Sequence, residues 1–307
     1  MFEDLKIYCA PLQGFTDYVW RNVHSELFGT VDKYYTPFMR VINHEIPNRD
    51  IADVLQINNS AVIRPQILAT NPTDAQIMVE KLIDLGYREI DINMGCPHPP
   101  IALKRKGSGI LPFPELCEAL FHALSEFKEV KYTVKMRLGY DDAEQWHHIL
   151  PLFDIINPEE IVIHPRIGKQ LYKGDLNLLK LGEFIETCHY PIIYNGDIHT
   201  ESQIKEIAKK YPKLAGVMIG REFIAHPDFL YHNKSVNQLH NFHNLLYENY
   251  CKKLSGGEHQ ILMKMKSLWE VMLPEADKKS KKIIKKCHAL RNYEITIEQL
   301  FGKTNIK

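Results

Sequence analysis

Cys96 lies between Gly95 and Pro97, just past the alternating run Ile90-Asp91-Ile92-Asn93. A cysteine on a loop after a strand can donate a proton as a general acid, attack as a nucleophile, or fill space as a small buried hydrophobe. His98 is two residues along the same loop, and no Cys-His-Asn protease context accompanies the pair. Lys104, Lys106, Gly107 and Gly109 follow before the next helix. Lys135, inside the apolar run Tyr132–Leu138, either closes a core ion pair or presents its ammonium to an electron-rich ring such as a reduced flavin. His164 closes the run Glu160–His164 and could hold a cofactor, hold a substrate or serve the core.

Two glycine turns suit a phosphate. Asn195-Gly196-Asp197 and Ile219-Gly220-Arg221 each follow a strand-like run, where backbone N–H groups and a helix start favour an anion. Arg221 would add a charge-assisted contact. The chain has no GxGxxG, so a flavin mononucleotide suits these turns better than a resident dinucleotide. His147-His148 and His240/His243 lack a third ligand at a telling spacing, so no metal is expected.

These residues need strands to carry them. Eight β-like runs alternate with helical patterns: Ile7–Pro11, Lys33–Val41, Val62–Leu68, Ile90–Asn93, Tyr132–Leu138, Glu160–His164, Pro191–Asn195 and Gly216–Gly220. Eight βα units over about 225 residues predict a TIM barrel, whose chemistry sits at the strand C-termini. The polar residues falling there are Gln13, Arg40, Gln66, Asn93, Cys96, Lys135, Arg137, His164, Arg166, Asn195, Asp197 and Arg221. A helix is expected over Asp17–Phe28 from the spacing of Val19, Trp20, Val23 and Leu27. After Asp228 the pattern turns helical: His240–Leu254, Gln260–Leu273, Lys278–Leu290 and Ile295–Phe301. The predicted architecture is an α/β barrel over residues 1–235 and a small all-helical domain over 236–307.

The bulk numbers agree with a globular protein: 45% hydrophobic and 25% charged residues in 307, enough for a sizeable core. The net charge of zero conceals an asymmetry. From Val236 onward there are 13 basic and 7 acidic residues, against 25 and 31 before it. A basic tail on an acidic body suits a polyanion, although a solvated lysine face has the same composition. No apolar run reaches membrane-spanning length, and the N-terminus lacks a signal pattern. Six cysteines without a CxxC pair fit reduced thiols in a cytosol, so a cytoplasmic protein is expected; the sequence is silent on oligomeric state, and a monomer is the default.

The motifs Ala10-Pro11-Leu12-Gln13-Gly14-Phe15-Thr16-Asp17, Asn93-Met94-Gly95-Cys96-Pro97, Val134-Lys135-Met136-Arg137, Asn195-Gly196-Asp197 and Gly216–Arg221 resemble those of the tRNA-dihydrouridine synthases. Phe38-Met39-Arg40-Val41 and Lys135–Tyr140 look most like the bacterial C subfamily. The resemblance implies a flavin enzyme that reduces a D-loop uridine of tRNA, with FMN bound and NADPH as transient reductant. It places Pro11, Leu12 and Gln13 along the flavin, Gln66 and Lys135 on its ring, and His164 beside it. Asn195, Gly196, Asp197, Gly220 and Arg221 would hold the phosphate arm. Arg40, Asn93, Tyr172, Lys264, Lys266 and His288 would face the RNA. Hydride would pass from flavin N5 to C6 of the uracil, and a proton from Cys96 to C5. Where the family has His-Gly-Arg-Thr, this chain has His164-Pro165-Arg166-Ile167. Two other readings are a flavin barrel acting on a free pyrimidine, which leaves the basic helices unexplained, and a catalytically silent RNA-binding barrel.

Overall fold

The computed structural model describes residues 5–302; the outermost positions of the two expected domains lie outside them. Nine strands form one sheet in the order β3-β2-β1-β9-β8-β7-β6-β5-β4. They are β1 Lys6–Cys9, β2 Lys33–Tyr35, β3 Ile63–Arg64, β4 Gln66–Ile67, β5 Glu89–Met94, β6 Lys131–Gly139, β7 Glu160–Ile167, β8 Ile192–Asn195 and β9 Leu214–Ile219. All pairings between them are parallel. The two ends of the order, β3 and β4, are separated only by Pro65. They are one expected run, Val62–Leu68, interrupted where proline cannot donate to the ladder. The sheet therefore closes on itself as the expected eight-run α/β barrel.

Side chains of a strand alternate between the barrel interior and the helices outside. In β5 and β6 the apolar set Ile90, Ile92, Met94, Val134 and Met136 is buried. The other set, Asp91, Asn93, Thr133 and Lys135, bonds within itself and to Gln66 and Asn195. The opposite half of the interior is an apolar cluster of Tyr8, Ala10, Tyr35, Val162, Ile193 and Met218.

At the strands' N-terminal end Glu160 is 2% exposed. It accepts from Lys6 Nζ at 3.0 Å, Tyr8 Oη at 3.1 Å and Tyr35 Oη at 3.1 Å, and pairs with Arg64. Arg64 also donates to Glu89 at 2.8 Å. The ion cluster closes the end of the barrel away from the site.

The chain divides into two compact units. The barrel unit runs through Gln13 and then Val31–Ile219; the second takes Gly14–Thr30 and the chain from Gly220. The second unit is helical: Tyr18–Phe28, Arg221–Ala225, Val236–Lys253, Gly257–Trp269, Lys278–Lys286 and Leu290–Gly302. The Asp17 side chain caps the first helix by accepting from Trp20 N at 3.1 Å. That helix packs on the later ones: the Trp20 ring lies 6.3 Å from Phe242, and Tyr250 Oη donates to Asp17 at 2.9 Å. No helix among the described residues is long and apolar enough to cross a membrane.

Candidate active site

The Cys96 loop is held from three sides. From below, Asn93 Oδ1 accepts from the N–H groups of Gly95 at 3.1 Å and Cys96 at 2.9 Å. From behind, Ser108 donates twice to the Cys96 carbonyl, from N and Oγ, each at 3.0 Å. From the side, Arg137 Nε donates to the Gly95 carbonyl at 3.1 Å and its Nη1 to the Ile167 carbonyl at 2.9 Å. The thiol is half-buried. Burial raises its pKa above the ordinary value, while a hydrogen bond from the His98 backbone and the charges of Arg137 and Lys135 act the other way. A thiol so placed stays protonated at neutral pH and suits a proton donor better than a nucleophile.

Lys135 projects into the interior from mid-β6. Its Nζ donates to Asn195 Oδ1 at 2.7 Å, and Asn195 Nδ2 in turn donates to the Met218 carbonyl at 2.8 Å. Burial depresses the Lys135 ammonium to about 8, Arg137 adds to this, and Asp91 and Cys96 oppose it. A desolvated cation with one polar partner is suited to meet an added anion.

His164 is buried, and its Nε2 lies 3.3 Å from Arg166 Nη1. Arg166 also donates to the Gly174 carbonyl at 2.7 Å and forms a two-pronged pair with Asp197, one arm at 2.9 Å. The Asp197 carboxylate is thus already engaged. The Arg166 guanidinium is engaged in the same way, by Asp197, Gly174 and His164. Gly196 admits no side chain without displacement: a Cβ would come 2.9 Å from Tyr194 Oη.

The structure therefore gathers Gln66, Asn93, Cys96, Lys135, His164, Asn195, Gly196 and Asp197 in the barrel unit, at or near strand C-termini. Pro11 and Leu12 follow β1 half-buried, and Gln13 is exposed. Gln66 is fully buried, with its amide bonded to Asp91 and Asn93. Asn93 is buried and caps the loop as above. Arg40 pairs with buried Asp50 at 3.5 Å. Tyr172 is 47% exposed, with the Arg137 guanidinium 5.3 Å above its ring. Gly220 and Arg221 open the helical unit, with Gly220 preceding the five-residue helix Arg221–Ala225. In that unit Lys264 pairs with Asp17 at 2.6 Å and donates to the Gly14 carbonyl at 2.8 Å. Lys266 donates to the Cys287 carbonyl, and His288 is exposed.

Sequence reading gave no part to Asp91, Thr133 or Ser108, and no task to Arg137. The signal for three of them was the period of two, which puts Asp91 beside Asn93 and Thr133 and Arg137 around Lys135 on the inward face. Elsewhere, His147 meets Glu144 and Glu183 at the surface. The Lys180 ammonium joins both carboxylates, at 2.7 and 2.6 Å, where a cation would sit.

A closed parallel barrel with a protonated thiol and a desolvated lysine reaching toward its strand ends defines a barrel enzyme working at that rim. The family model for dihydrouridine synthase (Dus) matches residues 8–307, and the chain belongs to that family. It is 31% identical over 259 residues to a probable tRNA-dihydrouridine synthase of Staphylococcus epidermidis, covering 79% of this chain and 78% of that one. It is 28% identical over 233 residues to the tRNA-dihydrouridine(16) synthase of Haemophilus ducreyi, covering 73% and 71%. Among solved structures, the old yellow enzyme from Trypanosoma cruzi shares the fold with a TM-score of 0.53 at 9% identity, over 73% of this chain and 86% of that one.

Proposed function

We propose that the protein is a flavin-dependent tRNA-dihydrouridine synthase, a cytoplasmic monomer that saturates the C5–C6 bond of a D-loop uridine. The observation that carries this reading is the half-buried Cys96 thiol, kept protonated and held by its loop in the same rim as Lys135. The donor set fits FMN. Lys135 offers the positive charge that a reduced flavin ring calls for, and Asn195, Gly196 and Asp197 are proposed to hold the phosphate arm. Pro11, Leu12 and Gln13 would line the ring, Gln66 and His164 would flank it, and Gly220 and Arg221 are proposed phosphate contacts of their own unit. When bound, FMN reduced by NADPH supplies the hydride for C6 of the uracil.

The chain's own part is proton delivery and positioning. Cys96 gives its proton to C5, so it must arrive protonated, and burial ensures that. Arg137 and Ser108 keep the loop from following the thiol as it reacts. The target base must leave the RNA stack to reach the barrel rim. Arg40, Asn93, Tyr172, Lys266 and His288 are the proposed RNA contacts of their respective units. Arg40, Asn93, Lys264 and Lys266 already have partners within the chain, so the exposed lysines of the helix Lys278–Lys286 carry more of the phosphate attraction than these four do.

The test is an anaerobic titration of the purified protein. A flavin spectrum bleached by NADPH and restored by unmodified tRNA, with dihydrouridine in the product, is expected. A colourless protein that cannot be reconstituted with FMN overturns the reading and favours a silent RNA-binding barrel. Restoration by free uracil or orotate but not by tRNA favours the free-pyrimidine enzyme.

A further inference from the structure

A chain of buried polar side chains runs under the Cys96 loop. Asp91, fully buried, accepts from Thr133 Oγ1 at 2.7 Å and from Gln66 Nε2 at 2.6 Å. Gln66 Oε1 accepts from Asn93 Nδ2 at 2.7 Å, and Asn93 Oδ1 takes the Gly95 and Cys96 amides. The direction of each bond is forced. The two backbone amides can only donate, so Asn93 must turn its oxygen to them and its amino group to Gln66. Gln66 must then turn its oxygen to Asn93 and its amino group to Asp91. A carboxylate is the acceptor that completes such a chain. Either amide reversed would set donor against donor in a buried place, which costs the full desolvation of both groups.

We propose that Asp91 is a positioning residue that acts through Gln66 and Asn93 to fix the backbone of the Cys96 loop and so the direction of the thiol. The inference rests on the reading of Cys96 as proton donor. Burial raises the Asp91 carboxyl to about 7. Keeping such a group in the barrel is therefore a burden on stability, and its place in the relay gives it a use.

The test is iodoacetamide labelling of the full-length protein, followed peptide by peptide by mass spectrometry. Cys9 and Cys117, both fully buried, report whether the barrel stays folded. Asp91→Leu removes the acceptor that orders the chain and leaves the Gln66 amino group without its partner. It should speed labelling at Cys96 about tenfold, the order that loss of a hydrogen bond to a charged group is worth, while Cys9 and Cys117 stay protected. Asp91→Asn keeps an oxygen to accept from Gln66 and turns its amino group to Thr133, so labelling should stay within about threefold of the wild-type rate. A role confined to bulk stability predicts that Cys9 and Cys117 respond together with Cys96. Unchanged labelling in Asp91→Leu, or labelling equally fast in Asp91→Asn, overturns the proposal. Should Asp91→Leu expose Cys9 and Cys117 as well, Thr133→Val decides: it removes one donor to Asp91 with little change of shape. Faster labelling at Cys96 alone then supports the relay and an unchanged rate overturns it. Labelling needs no tRNA. A protein that labels as expected but reduces no uridine loses the proposed function and keeps the relay, and the reverse result loses the relay alone.

Discussion

Gly107 backs directly onto Cys96. A Cβ at position 107 would lie 2.6 Å from the Cys96 carbonyl oxygen and 2.8 Å from its Cβ, and the backbone there has φ +60°. Contact and conformation both exclude a side chain. Gly107→Ala should therefore displace the thiol while leaving most of the barrel intact. We expect tRNA reduction to fall by about a hundredfold, as a misplacement near 1 Å can cause. The melting temperature should drop by only a few degrees, about what 1–2 kcal/mol produces in a domain of this size. Steady-state turnover and a thermal melt on the same sample check this.

Arg64 and Glu160 are 3% and 2% exposed at the other end of the barrel. Arg64→Met removes the guanidinium from a cluster that keeps Glu160, Tyr8, Tyr35 and Glu89. Leaving Glu160 to the more exposed Lys6 in place of its buried cation should cost about 3 kcal/mol of stability. Urea unfolding should register the loss, whereas the flavin spectrum of the folded protein should not change.

Acid should act through the same cluster. Burial tends to raise the Glu89 carboxyl, but hydrogen bonds from Lys33 and Arg64 outweigh it and hold the group down at about 2. A depressed carboxyl contributes stability that is present above its ordinary value near 4.5 and lost as pH falls toward 2. Glu160 is lowered as well, by Arg64 and Lys6 against burial. Wild-type stability should decline through this window, and the decline should be shallower in Glu89→Gln.

The helical unit should have an alkaline limit. His226 bonds to Glu222 and, at 3.1 Å, to Glu275. The Glu222 bond leads the effects that raise it to about 9 against burial. A raised histidine contributes stability that is complete below about 6.5 and lost as pH rises through 9. Thermal melts between these values should show the loss, and His226→Gln should flatten it.

The lysines should divide into two kinds. Lys264→Met removes the ion pair to Asp17 and the bond to the Gly14 carbonyl, so it should loosen the helical unit and show first in a melt. Replacing Lys282, Lys285 and Lys286, exposed on their helix, should leave the melt alone. Those three changes should weaken tRNA binding and make the salt slope shallower by about 0.9 for each phosphate no longer neutralised. Filter binding across a salt series separates the two kinds.

Much of this was legible in the chain. The βα alternation predicted the barrel because each parallel strand is a short apolar run with its own helix. Gly95-Cys96-Pro97 announced its loop because nothing else ends a strand so abruptly. Boundaries shifted where proline intervenes: Pro65 divides the third run into β3 and β4, while β7 continues through Pro165 to Ile167. Periodicity marked Asp17–Phe28 as a helix with one apolar face but could not say what would cover that face. Its partners Phe242 and Tyr250 lie more than two hundred residues away. Lys264 looked free for RNA for the same reason, since Asp17 reaches it only through the fold. The relay beneath Cys96 was visible only as alternating polar positions, because hydrogen-bond direction depends on which atoms meet.

In the proposed reaction Cys96 supplies a proton and not merely a surface. The measurement is the rate at which unmodified tRNA restores the flavin absorbance of the NADPH-reduced protein, in stopped flow without oxygen, for wild type and Cys96→Ala. Loss of a general acid should slow that rate by about 10²–10⁴-fold, with flavin content and tRNA affinity preserved. A Cys96→Ala protein that turns over at the wild-type rate would contradict the account.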